Sequence, residues 1–256
     1  MKKIFALCKR DFVNYFNSPI AYIVIAIFLF IAGNVFWVAY YNFGETYKMY
    51  SQYPWARQEL SLAQMVFRPF FMVISNILLF SIPLITMRLI SEEKKLGTFE
   101  FLFTSPVTVP QIIFGKFFAG AAFVIIMLLT TSVYPFLLAI YGKPDIYAIA
   151  SGYLGLFLLA LAFIALGLFA SSLTENQIIA AIIGFAIILI FWIINWSAQK
   201  TTHPKLSEVL NYLSIPDHFM DFAKGVVDTQ HIFYFLSLIV LGLFLTGIVL
   251  QSQRWR

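Results

Sequence analysis

Carboxylates are concentrated in one short segment of the chain. Glu92, Glu93 and Glu100, three of the twelve acidic residues, lie within nine positions in the stretch SEEKKLGTFEFLFTSPVT at residues 91–108. Paired carboxylates serve acid–base catalysis, so an enzyme acting on lipid, with Glu92 or Glu93 as its base, is one hypothesis. Such a site needs a second catalytic group, and no His, Cys or Asp lies near enough in sequence to nominate one.

Nucleotide chemistry is disfavoured by the residues around the Gly-Lys pair at Gly115-Lys116. Pro110 occupies the place of the first glycine of a P-loop, and Phe117 follows where Ser or Thr would ligate magnesium. The three histidines are widely spaced and form no zinc-binding pattern: His203, His218 and His231. We therefore predict a chain without catalysis of its own, without a metal site and without a bound cofactor.

The composition indicates the class of protein. Of 256 residues, 61% are hydrophobic and only 11% are charged, whereas a soluble domain averages about 25% charged residues. The chain is therefore predicted to be a polytopic membrane protein. The net charge of +5 is explained by basic residues facing lipid headgroups, so we expect membrane lipids and no nucleic acid as partners.

Apolar stretches long enough to cross a bilayer, about 20 residues each, predict an all-α fold with six transmembrane helices. Their predicted bounds are 19–41, 70–88, 112–141, 147–172, 177–197 and 231–250. An even number places both termini on one side. Ten Lys and Arg residues fall on that side and seven on the other, which favours cytoplasmic termini in a bacterial inner membrane. The whole chain, 1–256, is predicted to be one transmembrane domain.

Four pieces outside the spans have recognisable patterns. Residues 1–17 form an amphipathic helix suited to the membrane interface. An aromatic-rich loop is expected over 42–69, and a helical cap on the extracytoplasmic side over 203–228. Thr174 and Gln177 have the spacing of a capping box at the start of the fifth span.

The charged segment at residues 91–108 has the pattern of a short helix. Thr98 suits an N-cap, Gly97 permits a sharp change of direction before it, and Pro106 ends the helix. The helix would present a knob of apolar side chains: Phe99, Phe101, Leu102 and Phe103. Such a knob fits a hydrophobic groove on a partner, and the alternative is an ordinary loop helix lying on the membrane.

These motifs resemble those of ABC-2-type permeases, the membrane subunits of type V ABC exporters. The resemblance is carried by GTFE at 97–100, PVT at 106–108, FNSPIAY at 16–22, SSLTENQIIAA at 171–181 and HFMDFAKGVVD at 218–228. It implies that segment 91–108 is a cytosolic coupling helix docking into a separate ATPase chain, which would bind ATP and magnesium. The residues it nominates for that contact are Glu92, Glu93, Gly97, Thr98, Phe99, Glu100, Phe101, Leu102, Phe103 and Pro106.

The resemblance also implies an assembly of two permeases and two ATPases. Within the family the chain is most similar to gliding-motility-associated permeases, whose second permease carries a periplasmic domain. Permeases of copper and nitrous-oxide-reductase maturation systems are near neighbours, and a scaffold that anchors a motility or secretion complex without transport is the other alternative. The sequence identifies no substrate, and it leaves open whether the two permeases are identical.

Small residues in the spans predict close helix packing. At such positions two helix backbones approach without intervening side chains. The predicted packing residues are Gly115, Gly120, Gly152, Gly155, Gly167 and Ser171.

Overall fold

A computed structural model describes residues 2–50, 62–99, 107–141, 145–200 and 203–254. All regular secondary structure in these residues is helical, and six helices are long and apolar enough to cross a membrane. The prediction of an all-α protein with six candidate spans is therefore confirmed.

The α-helices of the described residues are numbered here in chain order. They are α1 Lys2–Asn17, α2 Pro19–Tyr50, α3 Arg68–Thr86, α4 Arg88–Lys95, α5 Val109–Thr131, α6 Val133–Tyr141, α7 Ile146–Leu173, α8 Gln177–Lys200, α9 Pro204–Tyr212, α10 Ile215–Ala223 and α11 Thr229–Arg254. A π-helical turn, Ala63–Phe67, precedes α3.

The six candidate spans combine some of these helices. They are Pro19–Tyr50, Gln64–Lys95, Val109–Leu138, Ile146–Leu173, Gln177–Ser197 and Thr229–Gln253. The second span passes from α3 to α4 at Met87, which keeps helical φ and ψ angles and whose N–H donates to the Pro83 carbonyl at 3.0 Å. Pro83 lies inside α3 and has no N–H to donate to the carbonyl four residues before it, so α3 lacks one helical hydrogen bond there.

The first span is longer than predicted, because α2 continues to Tyr50 where a loop was expected from residue 42. The polar residues of this extension stabilise a helix. Glu45 and Lys48 form an ion pair at 3.0 Å, and the rings of Phe43 and Tyr47 lie 6.1 Å apart. The polar residues after position 41 therefore continue α2 and do not end it. The rest of the predicted loop, residues 51–61, lies outside the described residues.

The start of α8 also differs from the prediction. Asn176, not Thr174, caps this helix, and its side-chain oxygen accepts from the N–H groups of Ile178 at 2.9 Å and Ile179 at 3.4 Å. The Thr174 hydroxyl accepts from the Asn176 N–H at 3.1 Å. The predicted capping box is therefore wrong, because the helix begins at Gln177 and Asn176 is the residue adjacent to it.

The centre of the bundle is α7. Of its most apolar stretch, 78% of residues are buried within the chain, against 17% for the corresponding stretches of α2 and α8. Small residues of α7 allow this burial. A Cβ added to Gly152 would overlap the Phe71 ring, one at Gly155 would overlap Phe222, and one at Gly167 would overlap Thr86.

Two further glycines show close contacts elsewhere. A Cβ at Gly115 of α5 would lie 2.8 Å from Cβ of Leu7, which brings α1 onto α5, and one at Gly120 would lie 3.1 Å from Ile164. The bundle thus has two ends. We call the end that carries α1 and α4 the terminal end, and the end that carries the two short helices α9 and α10 the cap end.

Candidate functional site

The segment that follows α4 begins with a turn that favours glycine. Gly97 has φ of +68°, and the N–H groups of Leu96 and Gly97 donate to the carbonyls of Glu92 at 3.0 Å and Lys94 at 3.1 Å. This left-handed residue ends α4, in the manner of many helix C-termini. The Thr98 hydroxyl donates back to the Glu93 carbonyl at 3.2 Å.

The Phe99 side chain is buried against other residues of its own chain. Its side chain is 6% exposed and lies in a small apolar cluster with Leu89, Ile90 and Ile112, and Lys94 Nζ lies 5.8 Å from its ring centroid. We therefore expect Phe99 to anchor the segment to the bundle. Five other residues nominated for a partner contact lie outside the described residues: Glu100, Phe101, Leu102, Phe103 and Pro106.

The two carboxylates of α4 have different surroundings. Glu93 is paired with Lys116 of α5 at 2.7 Å and with Arg10 of α1. Lys116 also contacts Asp11 at 3.2 Å, and Asp11 contacts Arg10 at 2.7 Å. Glu92 has no ion-pair partner among the described residues.

Arg10, Asp11, Glu93 and Lys116 thus form a four-residue charge network joining α1, α4 and α5. Lys116 is 2% exposed and Asp11 8%, whereas Arg10 is 42% exposed. Two positive and two negative charges balance, which makes their burial possible. Burial lowers the pKa of the Arg10 guanidinium, but the carboxylates of Asp11 and Glu93 raise it above its ordinary value. The network fixes α4 relative to the other two helices.

Ser171 fixes the other side of α4. Its hydroxyl accepts from the N–H groups of Ile90 and Ser91, each at 3.1 Å, and donates to the Met87 carbonyl at 3.0 Å. N–H groups in the first turn of a helix have no intrahelical partner. Here they are satisfied by a hydroxyl of α7, so α4 is bound to the central helix through buried hydrogen bonds.

The charge network has no local signature in the sequence. Asp11 and Lys116, which contact each other directly, lie 105 positions apart, and each charged residue had a local explanation. One signal was available: Lys116 is the only charged residue of α5, and a lone charge inside an apolar helix requires a partner.

The cap end contains a second polar cluster that the histidine spacing did not reveal. His218 Nε2 lies 2.8 Å from the Tyr212 carbonyl, and its Nδ1 lies 2.7 Å from Nδ1 of His231. His231 Nε2 lies 3.0 Å from Oδ2 of Asp221. Tyr234 stacks on the His218 ring with centroids 3.8 Å apart. In the described part of the chain, no group of three or more His, Cys, Asp or Glu side chains is arranged to hold a metal ion.

The contacts of this cluster show how many hydrogens its hydrogen bonds need. Each of the three contacts needs one hydrogen, whereas two neutral imidazoles carry two. The hydrogen bond from Lys224 lowers the pKa of the Asp221 carboxyl, so Asp221 accepts and does not donate. The three contacts therefore need one hydrogen more than two neutral imidazoles supply, and Asp221 is an acceptor that does not provide it.

We expect acid to loosen α9 and α10. Burial lowers the pKa of His218 below 6.5, more than its contact with the Tyr212 carbonyl raises it. The unfolded chain therefore binds this proton first, so stability present above about pH 6.5 is lost as the pH falls through the lower folded value.

Hydrogen exchange of residues 204–223 at about pH 7.5 and about pH 5, corrected for the intrinsic exchange rates, measures this loss of stability. Protection should fall at the lower pH in the wild type and in His203→Gln, whose histidine is exposed. In His218→Phe, which keeps a ring against Tyr234, the pH dependence should disappear. Equal protection of the wild type at both pH values would contradict the lowered pKa of the buried His218.

Comparison with known proteins agrees with the sequence resemblance. A family model described as ABC-2 family transporter protein matches residues 5–252, which is nearly the whole chain. No curated protein matches the chain significantly.

Proposed function

The chain belongs to the ABC-2 family of transporter proteins and is a permease component, from which we propose that a separate ATPase chain drives it through residues 91–108. The ATPase would bind ATP and magnesium, and this chain would carry out no chemistry itself. Nucleotide-driven movement of the ATPase would reach the spans through α4.

The observation that carries this proposal is the attachment of α4. The charge network joins α4 to α1 and α5, and the Ser171 hydroxyl joins it to α7. Phe99 adds an apolar contact at the C-terminal end of α4. A force applied to the residues after Gly97 would thus reach three other helices directly. Glu93 would position the segment, because its carboxylate is engaged within the chain, whereas the residues after Phe99 would contact the ATPase.

A second permease is part of the proposal. Support comes from α2 and α8, which bury only 17% of their most apolar stretches within the chain. Both expose large apolar side chains on their outer faces: Tyr22, Ile23, Ile27, Ile178, Ile182 and Ile190. A second permease packed against these faces would create a path for substrate between the two chains.

The narrower proposals concern subtype and orientation. Assignment to the gliding-motility permeases is supported by the likeness of HFMDFAKGVVD at 218–228, and it requires a partner permease with a periplasmic domain. Cytoplasmic termini in a bacterial inner membrane are supported by the ten-to-seven distribution of basic residues.

Purification of the tagged full chain from its native membranes tests the proposal. We expect an ATPase with a P-loop to co-purify, and Gly97→Pro to reduce the recovered ATPase and its permease-stimulated hydrolysis about tenfold. Proline fixes φ near −65°, whereas Gly97 has φ of +68°, so the segment would change direction.

Gly97→Asn is the matched control, because asparagine tolerates the left-handed region. It should retain most of the ATPase. Equal recovery and equal hydrolysis with the proline variant, the asparagine variant and the wild type would refute a coupling role for this segment.

A further inference from the structure

A partly open cavity of about 480 Å³ lies at the terminal end of the bundle, between α1, the start of α2 and the junction of α3 with α4. Its walls are of two kinds. The apolar wall is formed by the ends of spans and consists of Ile20, Val24, Leu84 and Ile85. The polar wall consists of Asn14, Asn17, Arg88 and Glu92. The volume is in the range of small-ligand sites, about 300–1,000 Å³, and the two walls fit an amphiphile.

Arg88 is the group that requires a ligand here. Its Nη1 donates to the Ser18 hydroxyl at 3.0 Å, but its Nε is buried without a hydrogen-bond partner in the described part of the chain. It has no ion-pair partner among those residues. A guanidinium has five donors, and a half-buried one at the end of a span is costly unless an anion neutralises it.

The charges around the cavity specify the ligand further. Arg10 and Lys116, which also line it, are already neutralised by Asp11 and Glu93. Among the described residues that line the cavity, two charged groups then remain without an ion-pair partner. One is the cation Arg88, and the other is the carboxylate Glu92, one turn further along α4. One unsatisfied charge of each sign fits a zwitterion better than an anion, because an anion alone would leave Glu92 beside it unpaired.

We propose that this cavity binds the headgroup of a zwitterionic phospholipid with a phosphate and a primary amine, of the phosphatidylethanolamine type. The phosphate accepts from the Arg88 guanidinium, as phosphates do from arginine, and from the amides of Asn14 and Asn17. The ammonium group pairs with Glu92. The acyl chains leave the cavity along the apolar wall formed by Ile20, Val24 and Leu84.

The location of the cavity supports a lipid as the source of the phosphate. Along α3 and α4 the lining changes from Leu84 and Ile85 to Arg88 within about one helical turn and to Glu92 in the next. This change from apolar to charged residues at the end of a span is that of a bilayer interface. The proposal does not depend on an ATPase.

Native mass spectrometry of the purified full chain, with equimolar phosphatidylethanolamine and phosphatidylglycerol added in detergent, tests the proposal. We expect one phosphatidylethanolamine to be retained per chain, with preference over phosphatidylglycerol. Arg88→Gln should reduce its affinity at least tenfold. Lys9→Gln removes an exposed cation of α1 outside the cavity and should leave it unchanged.

Glu92→Gln gives a test that does not depend on Arg88. It should weaken phosphatidylethanolamine and strengthen phosphatidylglycerol, reversing the preference, which a merely structural role would not do. Equal retention of both lipids by the wild type, equal losses in Arg88→Gln and Lys9→Gln, or an unchanged preference in Glu92→Gln would overturn the proposal. Displacement of the lipid by millimolar inorganic phosphate would identify a free-phosphate site instead.

Discussion

Replacement of Lys116 with methionine is expected to destabilise the folded chain by about 3–5 kcal/mol, the usual cost of removing one partner from a buried ion pair. Methionine keeps much of the apolar stem of lysine and removes the charge. Asp11 and Glu93 would then share only Arg10, which is 42% exposed. An uncompensated negative charge would remain in a region where Lys116 is now 2% exposed.

The structural consequence should be local to the terminal end. Since the charge network holds α1 and α4 against α5, we expect Lys116→Met to increase hydrogen exchange in Lys2–Asn17 and Arg88–Lys95. Thermal unfolding in lipid nanodiscs should show a lower midpoint. Residues 204–223, at the other end of the bundle, should keep their protection.

A double variant shows whether charge balance is the cause. Lys116→Met with Glu93→Gln removes one charge of each sign, so it should recover much of the stability lost in Lys116→Met, a coupling that distant sites do not show. Lys48→Met, at an exposed lysine of α2, is the control for loss of a cation and should change the midpoint far less, since an exposed ion pair contributes only about 0–1 kcal/mol. Equal effects of Lys116→Met and Lys48→Met would show that the network contributes nothing.

The spans were predictable because membrane crossing is a property of composition over about 20 residues. The helix Ile146–Leu173, for instance, follows Asp145 and ends just before Thr174 and Glu175, so its polar neighbours delimit it. The end of α2 was not predictable in this way. Beyond the apolar stretch, a helix continues or stops according to local pairs such as Glu45 and Lys48.

The charge network was not predictable from local patterns. Asp11, Glu93 and Lys116 belong to three helices that meet only after the bundle forms. Lys116 was considered for nucleotide binding, and Glu93 for contact with a partner. The sequence indicates that each charge needs a counter-charge, but the choice of partner depends on which helix ends lie together.

The histidine pair illustrates the same limit at shorter range. His218 and His231 are separated by 13 positions, which matches no helical or zinc-binding spacing. They meet because α10 ends at a turn in which Gly225 has φ of +93°, after which the chain reverses into α11. The glycine was visible in the sequence, but the direction of the chain after it was not.

A second large effect is expected on binding of the ATPase, from substitutions in the part of residues 91–108 that would face it. Phe101→Asp is expected to lower the affinity of the ATPase for the chain at least tenfold. Burial of a phenylalanine side chain contributes about 1.5–3 kcal/mol, and a tenfold change in affinity corresponds to about 1.4 kcal/mol. An aspartate would in addition bring an unpaired charge into the hydrophobic groove of the ATPase that would receive this side chain. Phe101→Leu, which keeps the residue apolar, is the matched control and should retain most of the affinity.

Photo-cross-linking from position 101 of the full chain in its native membranes tests most directly whether residues 91–108 couple the permease to its ATPase. We predict an ultraviolet-dependent adduct with a polypeptide that carries a P-loop, and no such adduct from position 212, which is exposed on α9 at the cap end. An adduct with the ATPase from position 212 and not from position 101, or adducts with lipid alone from position 101, would contradict the claim that this segment couples the permease to its ATPase.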